Sequence, residues 1–209
     1  MGTYAGKPAN TGFMPRYKAL WEALAIDGVL TAHNEKFVPY TAWAPRPGVV
    51  RKEVFERLGG FNESFHGADL EDIDLGYRMA AAGYRNYFVP DIRIQHHYPA
   101  TFAKEIRSFS RRCTIWMRMN REHGFFDASG EGTPRQALVH IAGFSAFLLF
   151  FAGAIIPLFH VVAALLLIIY FYASRGFILR AWQEEGCWFA VRAAVVCWIH
   201  TIVLGVSAS

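Results

Sequence analysis

Charged residues are scarce in the last third of the sequence. Lys and Arg number 21 and Asp and Glu 17 in the whole chain, but residues 136–209 contain only five of them. The overall charged fraction of 18% is below the ~25% of a typical soluble domain. A uniformly soluble globule is therefore excluded, and the aromatic content of 16% excludes a disordered chain.

Cysteines and the common nucleotide-binding motifs are also scarce or missing. The three cysteines, Cys113, Cys187 and Cys197, have neither metal-ligand spacing nor the even number of a disulfide framework, so we expect reduced thiols. The sequence has no G-x-G-x-x-G, no Walker loop and no Asp-x-Asp after a predicted strand. Nothing in it therefore indicates a dinucleotide-binding fold, a P-loop enzyme or a metal-binding motif.

The charge-poor region predicts membrane spans. Residues 136–174 contain no Asp, Glu, Lys or Arg, and as one helix this run would be ~58 Å long, whereas a hydrocarbon core is ~30 Å thick. Gly153 and Pro157 supply a turn near its middle. We predict about three transmembrane helices, near 137–154, 156–173 and 187–206. The alternative is a buried hydrophobic hairpin in a soluble protein.

The positions of Lys and Arg predict the orientation of these spans. The turn between the first two spans has no basic residue, whereas Arg175 and Arg180 follow the second span. Residues 101–135, just before the first span, contain seven: Lys104, Arg107, Arg111, Arg112, Arg118, Arg121 and Arg135. Basic residues favour the cytoplasmic side. We therefore expect an integral membrane protein. Residues 1–135 and the 174–187 loop would be cytoplasmic, with three crossings and the C-terminus outside.

A basic amphipathic segment lies just before the first span. Over residues 101–123 the apolar side chains Phe102, Ile106, Phe109, Cys113 and Trp116 form one helical stripe, with basic residues around it. This pattern indicates a helix in the headgroup layer, with Arg107, Arg111, Arg112 and Trp116 at the membrane interface. The alternative is a surface helix packed on a globular domain. The adjacent spans argue against a nucleic-acid partner.

Residues 1–100 alternate helical and extended patterns, as in an α/β domain. The predicted helices cover 17–26, 51–58 and 69–82, and the predicted strands cover 29–33, 37–43, 87–89 and 92–95. We expect three regions: this partial α/β domain over 1–100, the basic helix and a linker over 101–135, and the spans over 136–209.

Four acidic residues, Asp69, Glu71, Asp72 and Asp74, surround the start of the third predicted helix. One explanation is purely structural, because acidic side chains cap helix starts and interact favourably with the helix dipole. A helical projection places the acidic residues of this helix on two different faces. Glu71, Asp74 and Arg78 share a solvated face, whereas Asp72 lies on the apolar side. A carboxylate in that position can have its pKa tuned for proton abstraction.

Several short strings occur together around this helix. They are R-K-E-V-F-E-R-L-G-G-F-N-E at 51–63, E-D-I-D-L-G-Y-R at 71–78, G-Y at 83–84, V-P at 89–90 and H-H at 96–97. In this combination, residues 17–125 resemble the acceptor half of a family 2 glycosyltransferase, and the helices after them resemble those of its membrane-bound members. The resemblance implies a partial GT-A fold in the first region and a location in the bacterial inner membrane.

The resemblance also implies a role for each matching position. Asp72 corresponds to the base that takes the acceptor hydroxyl proton, and Glu71 and Asp74 would help to order the acceptor side of the cleft. The acceptor loop corresponds to Gly59, Gly60, Phe61, Asn62 and Glu63. His96 matches a histidine near the nucleotide diphosphate or metal, although a histidine that simply packs at a strand end fits equally well.

The donor-binding half of such enzymes, with its metal motif, has no counterpart in these residues. A complete enzyme would use a divalent metal (Mg or Mn), a nucleotide-sugar donor and a lipid-linked or polysaccharide acceptor. We expect this chain to be inactive alone. Two alternatives stay open for the missing half: it belongs to the same, longer polypeptide, or it is a separate chain that works with this one. Processive relatives carry the motif (Gln/Arg)-x-x-Arg-Trp after the catalytic Asp. The nearest string here is R-C-T-I-W at 112–116, in which Ile115 stands in place of the second Arg, and this favours an enzyme that transfers a single sugar. The alternative function is a non-catalytic, membrane-anchored scaffold for a complete glycosyltransferase.

Overall fold

A computed structural model describes residues 1–31, 37–40, 43–45, 47–65, 70–89, 91–123 and 134–208. The chain forms two compact units, one of Met1–Ala100 and Ile115–Glu131 and the other of Thr101–Thr114 and Gly132–Ser209. One helix, Phe102–His123, therefore contributes its first half to the second unit and its second half to the first. Asp69, one of the four acidic residues noted above, lies outside the described residues.

The elements of the first unit are mainly helical. Its helices are α1 (Phe13–Thr31), α2 (Lys52–Arg57), α3 (Glu71–Ala81) and the second half of α4 (Phe102–His123); its strands are β1 (Thr3–Tyr4), β2 (Val38–Tyr40), β3 (Asn86–Phe88) and β4 (Arg93–Ile94). Strands β1 and β4 pair in parallel, with Thr3 opposite Arg93. Strands β2 and β3 pair antiparallel, with Val38 opposite Phe88. The described strands thus form two short two-stranded ladders.

One predicted strand is wrong. Residues 29–31 were expected to begin the strand 29–33, but they form the last turn of α1, and 32–33 lie outside the described residues. A short apolar run has too few residues to distinguish a strand from the end of a helix by periodicity. The predicted strands 37–43 and 92–95 contain β2 and β4 in shorter form, the predicted strand 87–89 is shifted by one residue from β3, and β1 was not predicted.

Helix α3 is buried along two flanks. On one flank, Leu75 and Met79 pack with Trp43. On the other, Tyr77 packs with Met119 of α4, and Ile73 lies against the same cluster. Because apolar neighbours cover both flanks, most of the circumference of α3 is removed from water.

The second unit contains four further helices, among them the candidate membrane spans. They are α5 (Pro134–Ala152), α6 (Leu158–Ala173), α7 (Arg175–Glu185) and α8 (Cys187–Ala208). Helices α5 and α8 are long and apolar enough to cross a membrane, and α6 with α7 makes a third candidate only as one span bent by 60°. The turn between α5 and α6 lies at 153–157, as predicted. The region 174–187, predicted as a loop, is largely the helix α7.

A polar network joins three of these helices. The Thr201 Oγ1 atom of α8 lies 2.9 Å from Nδ1 of His140 in α5 and 3.0 Å from the Tyr170 hydroxyl oxygen of α6. Gly143 makes this approach possible, because a Cβ there would lie 2.7 Å from the Tyr170 ring. In hydrocarbon, polar side chains are stabilised by bonding to one another. The network therefore specifies how α5, α6 and α8 pack.

The first half of α4 packs against the last turns of α8. Glu105 is buried, and its Oε1 lies 3.5 Å from Nε2 of His200. The rings of Phe109 and His200 are 4.4 Å apart, and the hydroxyls of Ser110 and Ser207 are 3.4 Å apart. Helix α8 has 22 residues and is therefore ~33 Å long. These contacts place the C-terminal end of α8 beside α4, so it cannot lie outside if α4 lies in the cytoplasmic headgroup layer. The predicted position of α4 and the predicted position of the C-terminus are therefore incompatible.

Candidate functional site

The loop that follows α2 contains two consecutive glycines in the left-handed conformation. We call residues 58–65 the Gly-Gly loop. Gly59 has φ 78° and Gly60 has φ 72°, a region that glycine adopts without steric cost. The Gly60 N–H donates to the carbonyl of Phe55 at 2.9 Å and the Gly59 N–H to that of Glu56 at 3.0 Å. This pair of bonds is a Schellman motif, which ends α2 and turns the chain sharply.

The rest of the loop presents its side chains at the surface. The Phe61 ring lies 5.3 Å from that of Phe55 and 6.3 Å from that of Trp43, yet Phe61 remains 39% exposed. The Asn62 side chain accepts a bond from the Ser64 N–H at 3.0 Å, and Glu63 is exposed. The five residues predicted for the acceptor loop therefore lie on one ordered, accessible turn.

Arg78 connects this loop to α3. Its Nη1 donates to the carbonyl of Leu58 at 2.6 Å, and its Nη2 donates to the carbonyl of Gly60 at 2.8 Å. Its Nε donates to Oδ2 of Asp74 at 2.8 Å. The i,i+4 pair expected from the sequence is therefore present, but the two bonds to the loop were not anticipated. The sequence signal that could have predicted these two bonds is the Gly59-Gly60 pair, because backbone carbonyls beside two left-handed glycines need hydrogen-bond donors from other parts of the chain.

Asp74 does not lie on a solvated face, and that prediction is wrong. Its side chain is only 8% exposed, and that of its partner Arg78 is 25% exposed. The helical projection gives angles around α3 but not the neighbours that cover each face. Because Leu75 and Tyr77 pack on either side, Asp74 is enclosed between two covered flanks.

Glu71 and Asp72 form the first turn of α3, and both are half-buried. The Asp72 Oδ1 atom accepts a bond from the Ile73 N–H at 2.8 Å. Leu70, just before the helix, has φ 73°, which is unusual for a residue with a side chain and marks local backbone strain. A carboxylate here is stabilised by the positive end of the helix dipole. Chemically, it can accept a proton from a hydroxyl group brought to the start of the helix.

His96 lies among aromatic side chains. It is exposed, and its ring stacks on that of Tyr4 at 4.6 Å and meets the edge of Tyr98 at 4.9 Å. These contacts fit the alternative of a histidine packed at a strand end. Across the part of the chain that the structure describes, no group of three or more His, Cys, Asp and Glu residues is arranged to hold a metal ion.

The residues predicted for the membrane interface divide between the two units. Arg107, Arg111 and Arg112 are exposed on the first half of α4. Trp116 instead is half-buried in the first unit, against Tyr77 and Met119. For Trp116, the contacts thus match the alternative of a helix packed on a globular domain.

Comparison with known proteins identifies the family. Residues 19–206 match the family described as glycosyl transferase family group 2. The chain belongs to this family. The resemblance seen in the sequence motifs is thereby confirmed, and the family 2 match covers both the acidic helix and the membrane helices. No solved structure shows a significant match to the chain.

Three relatives show how the similarity is distributed. The N-acetylglucosaminyl-diphospho-decaprenol L-rhamnosyltransferase of Mycobacterium tuberculosis is 39% identical over 93 residues, which cover 43% of this chain and 30% of the relative. The O-antigen biosynthesis protein RfbC of Myxococcus xanthus is 42% identical over 53 residues, 25% of this chain and 4% of the relative. An uncharacterised protein of Sinorhizobium fredii, y4gI, is 33% identical over 84 residues, 38% of this chain and 9% of the relative. The chain thus spans less than a third of each of these relatives.

Proposed function

We propose that this family 2 chain takes part in transferring a sugar from a nucleotide-sugar donor to a lipid-linked acceptor, with Asp72 as the general base. The observation that carries the proposal is the geometry around α3. Its first turn holds Asp72, and its Arg78 binds the exposed Gly-Gly loop. The first unit would then be the acceptor half of a GT-A fold.

In the proposed step, the acceptor hydroxyl loses its proton to the Asp72 carboxylate as its oxygen attacks the anomeric carbon. The new carbon–oxygen bond forms while the bond to the nucleotide diphosphate breaks, and the diphosphate leaves with the electron pair. Glu71 and the loop residues Gly59–Glu63 would orient the acceptor. In a complete enzyme a divalent metal would neutralise the diphosphate. Among the residues that the structure describes, no group is arranged to hold one, so the proposed step assigns none of them as a metal ligand.

The choice of a lipid-linked acceptor rests on two observations. The name of the mycobacterial relative includes a diphospho-decaprenol lipid. In this chain, the exposed side chains of Arg107, Arg111 and Arg112 share a unit with the membrane helices. Basic side chains next to a span are attracted to anionic headgroups. The direct test is transfer to N-acetylglucosaminyl-diphospho-decaprenol by membranes that contain this chain and a donor-binding half, with a panel of nucleotide-sugars.

We expect the chain alone to bind UDP- or GDP-sugars only weakly, with a Kd above ~1 mM. The reason is that no group of described His, Cys, Asp and Glu side chains is arranged to hold the metal ion that would neutralise the diphosphate. Isothermal titration of the purified chain with Mn²⁺ present measures this. A micromolar Kd would mean that the chain contains the donor site, and the proposed division into halves would be wrong.

The C-terminus should lie on the cytoplasmic side together with α4, because Ser110 of α4 contacts Ser207 near the end of α8. Helices α5 and α8 would then be the two crossings, and the bent pair α6–α7 would not cross completely. A phosphatase reporter, which is active only outside the cytoplasm, should be inactive when fused after Ser209 and active when inserted at Gly186.

The control fusion lies in the turn at 153–157, which is outside in both the two-crossing and three-crossing arrangements. Its reporter should be active in either case, which verifies that the fusions insert. Phosphatase activity at the C-terminus together with inactivity at Gly186 would restore the three-span arrangement and contradict the position assigned to α4.

A further inference from the structure

We infer that Arg78, oriented by Asp74, is a positioning residue that holds the Gly-Gly loop in the form that receives the acceptor. This inference rests on the proposed function, because it takes the loop as the acceptor-binding side. It assigns Arg78 an indirect role, through the loop, and no contact with the reacting atoms. The role is carried by three hydrogen bonds from one guanidinium group.

The guanidinium group is planar and presents its N–H donors in a fixed fork. Its two terminal nitrogens each bind a carbonyl, those of Leu58 and Gly60, which lie on either side of Gly59. The bend of the loop is therefore fixed at two points by one rigid group. A lysine at position 78 would keep the charge but would lack this geometry.

Asp74 sets the direction of the fork. Its buried carboxylate accepts from Nε of Arg78, which leaves the terminal nitrogens directed at the loop. The pair spans one turn of α3, where residues four apart face each other. Because α3 is packed on both flanks, this anchor belongs to a helix that buried apolar side chains hold on either side.

The loop needs such an anchor. Helix α2 has only six residues, and isolated helices of that length are unstable in water. The two glycines that follow lose more conformational entropy on ordering than other residues do. Phe61, Asn62 and Glu63 come directly after them, so the positions of these exposed side chains depend on how firmly Gly60 is held.

The test is Arg78→Lys in the full chain, with hydrogen–deuterium exchange measured over 55–65. Amides of Gly59, Gly60, Ser64 and Phe65 are bonded within this segment and report its order. Loss of charged hydrogen bonds should speed their exchange by about tenfold or more. In the transfer assay, KM for N-acetylglucosaminyl-diphospho-decaprenol should rise about tenfold, while kcat changes by less than about threefold. The reason is that the loop binds the acceptor equally well before and during the reaction, so its disorder weakens binding without slowing the chemical step.

The matched control is Arg57→Lys. Arg57 ends α2, is exposed, and donates to the Tyr84 hydroxyl at 3.1 Å rather than to the loop carbonyls. Amide exchange over 55–65 and the transfer kinetics of Arg57→Lys should match those of the parent chain. Gly59→Ala is the second variant, because an alanine at φ 78° strains the loop while Arg78 and Asp74 stay intact. It should show the same combination of faster exchange and raised KM.

Unchanged exchange in Arg78→Lys would overturn the positioning role, whatever the kinetics. A kcat loss as large as the KM change would also overturn it, because Arg78 would then act on the reaction itself. Faster exchange with an unchanged acceptor KM would show that Arg78 orders the loop but that the loop does not bind the acceptor. That result would overturn the inference and the acceptor-loop assignment, while leaving Asp72 as the base untouched.

Discussion

Asp72→Asn should lower sugar transfer by ~10²–10⁴-fold, the contribution that a general base typically makes. Asparagine keeps the size of the side chain and an oxygen that can accept from the Ile73 N–H, but it cannot take a proton from the acceptor. Since Asp72 is half-buried and its local bond survives, the thermal midpoint should stay close to that of the parent chain. The measurements are initial rates in the transfer assay and the thermal midpoint in detergent.

Glu122→Gln is the control for Asp72. Glu122 pairs with Arg118 at 3.3 Å, both side chains are 63% exposed, and such pairs contribute only ~0.2–1 kcal/mol. Activity and stability should therefore remain close to the parent values. Transfer by Asp72→Asn at the parent rate would refute the assignment of the base and would favour the alternative of a non-catalytic scaffold.

Asp74→Asn should destabilise the first unit by about 3 kcal/mol, the lower end of the ~3–5 kcal/mol for breaking a buried ion pair. The lower end applies because the Arg78 side chain is still 25% exposed and can be partly solvated. A solvated pair would have cost well under 1 kcal/mol, so the buried geometry changes the expectation severalfold. The thermal midpoint should fall by ~6–12 °C, as ~2–4 °C per kcal/mol is typical for this chain length.

Tryptophan fluorescence is a suitable probe for Asp74→Asn, because Trp43 is buried against Leu75 and Met79 beside it. Glu122→Gln is again the comparison, since it removes an acid from an exposed i,i+4 pair. A midpoint for Asp74→Asn equal to that of Glu122→Gln would mean that Asp74 is solvated after all. The two aspartates of one turn should thus differ in kind, with Asp72 controlling rate and Asp74 controlling stability.

Features that depend only on residues close together in the sequence could be predicted from it. The charge-free run over 136–174 and its turn indicated α5 and α6, since a membrane span needs only ~20 apolar residues in a row. Helix α3 and its Arg78–Asp74 pair followed from i,i+4 spacing. The family followed from short strings whose residue types and spacing are themselves linear information.

Features that depend on what covers a surface could not be predicted in this way. A helical projection places Asp74 and Arg78 on one side of α3, but Trp43 and Met119, which bury the flanks, come from distant parts of the chain. The same holds for the carbonyls of Leu58 and Gly60, which lie 20 and 18 residues before Arg78.

The sequence by itself thus determined the family, the membrane helices and the turn that carries Asp72, because each is encoded by local pattern. Only the tertiary structure decided that Asp74 is buried, that Arg78 holds the Gly-Gly loop, and that α8 ends beside α4. Burial and hydrogen bonding between distant segments are set by which surfaces meet when the chain packs. Periodicity within one segment carries no information about its partner, so these contacts had to be observed in three dimensions.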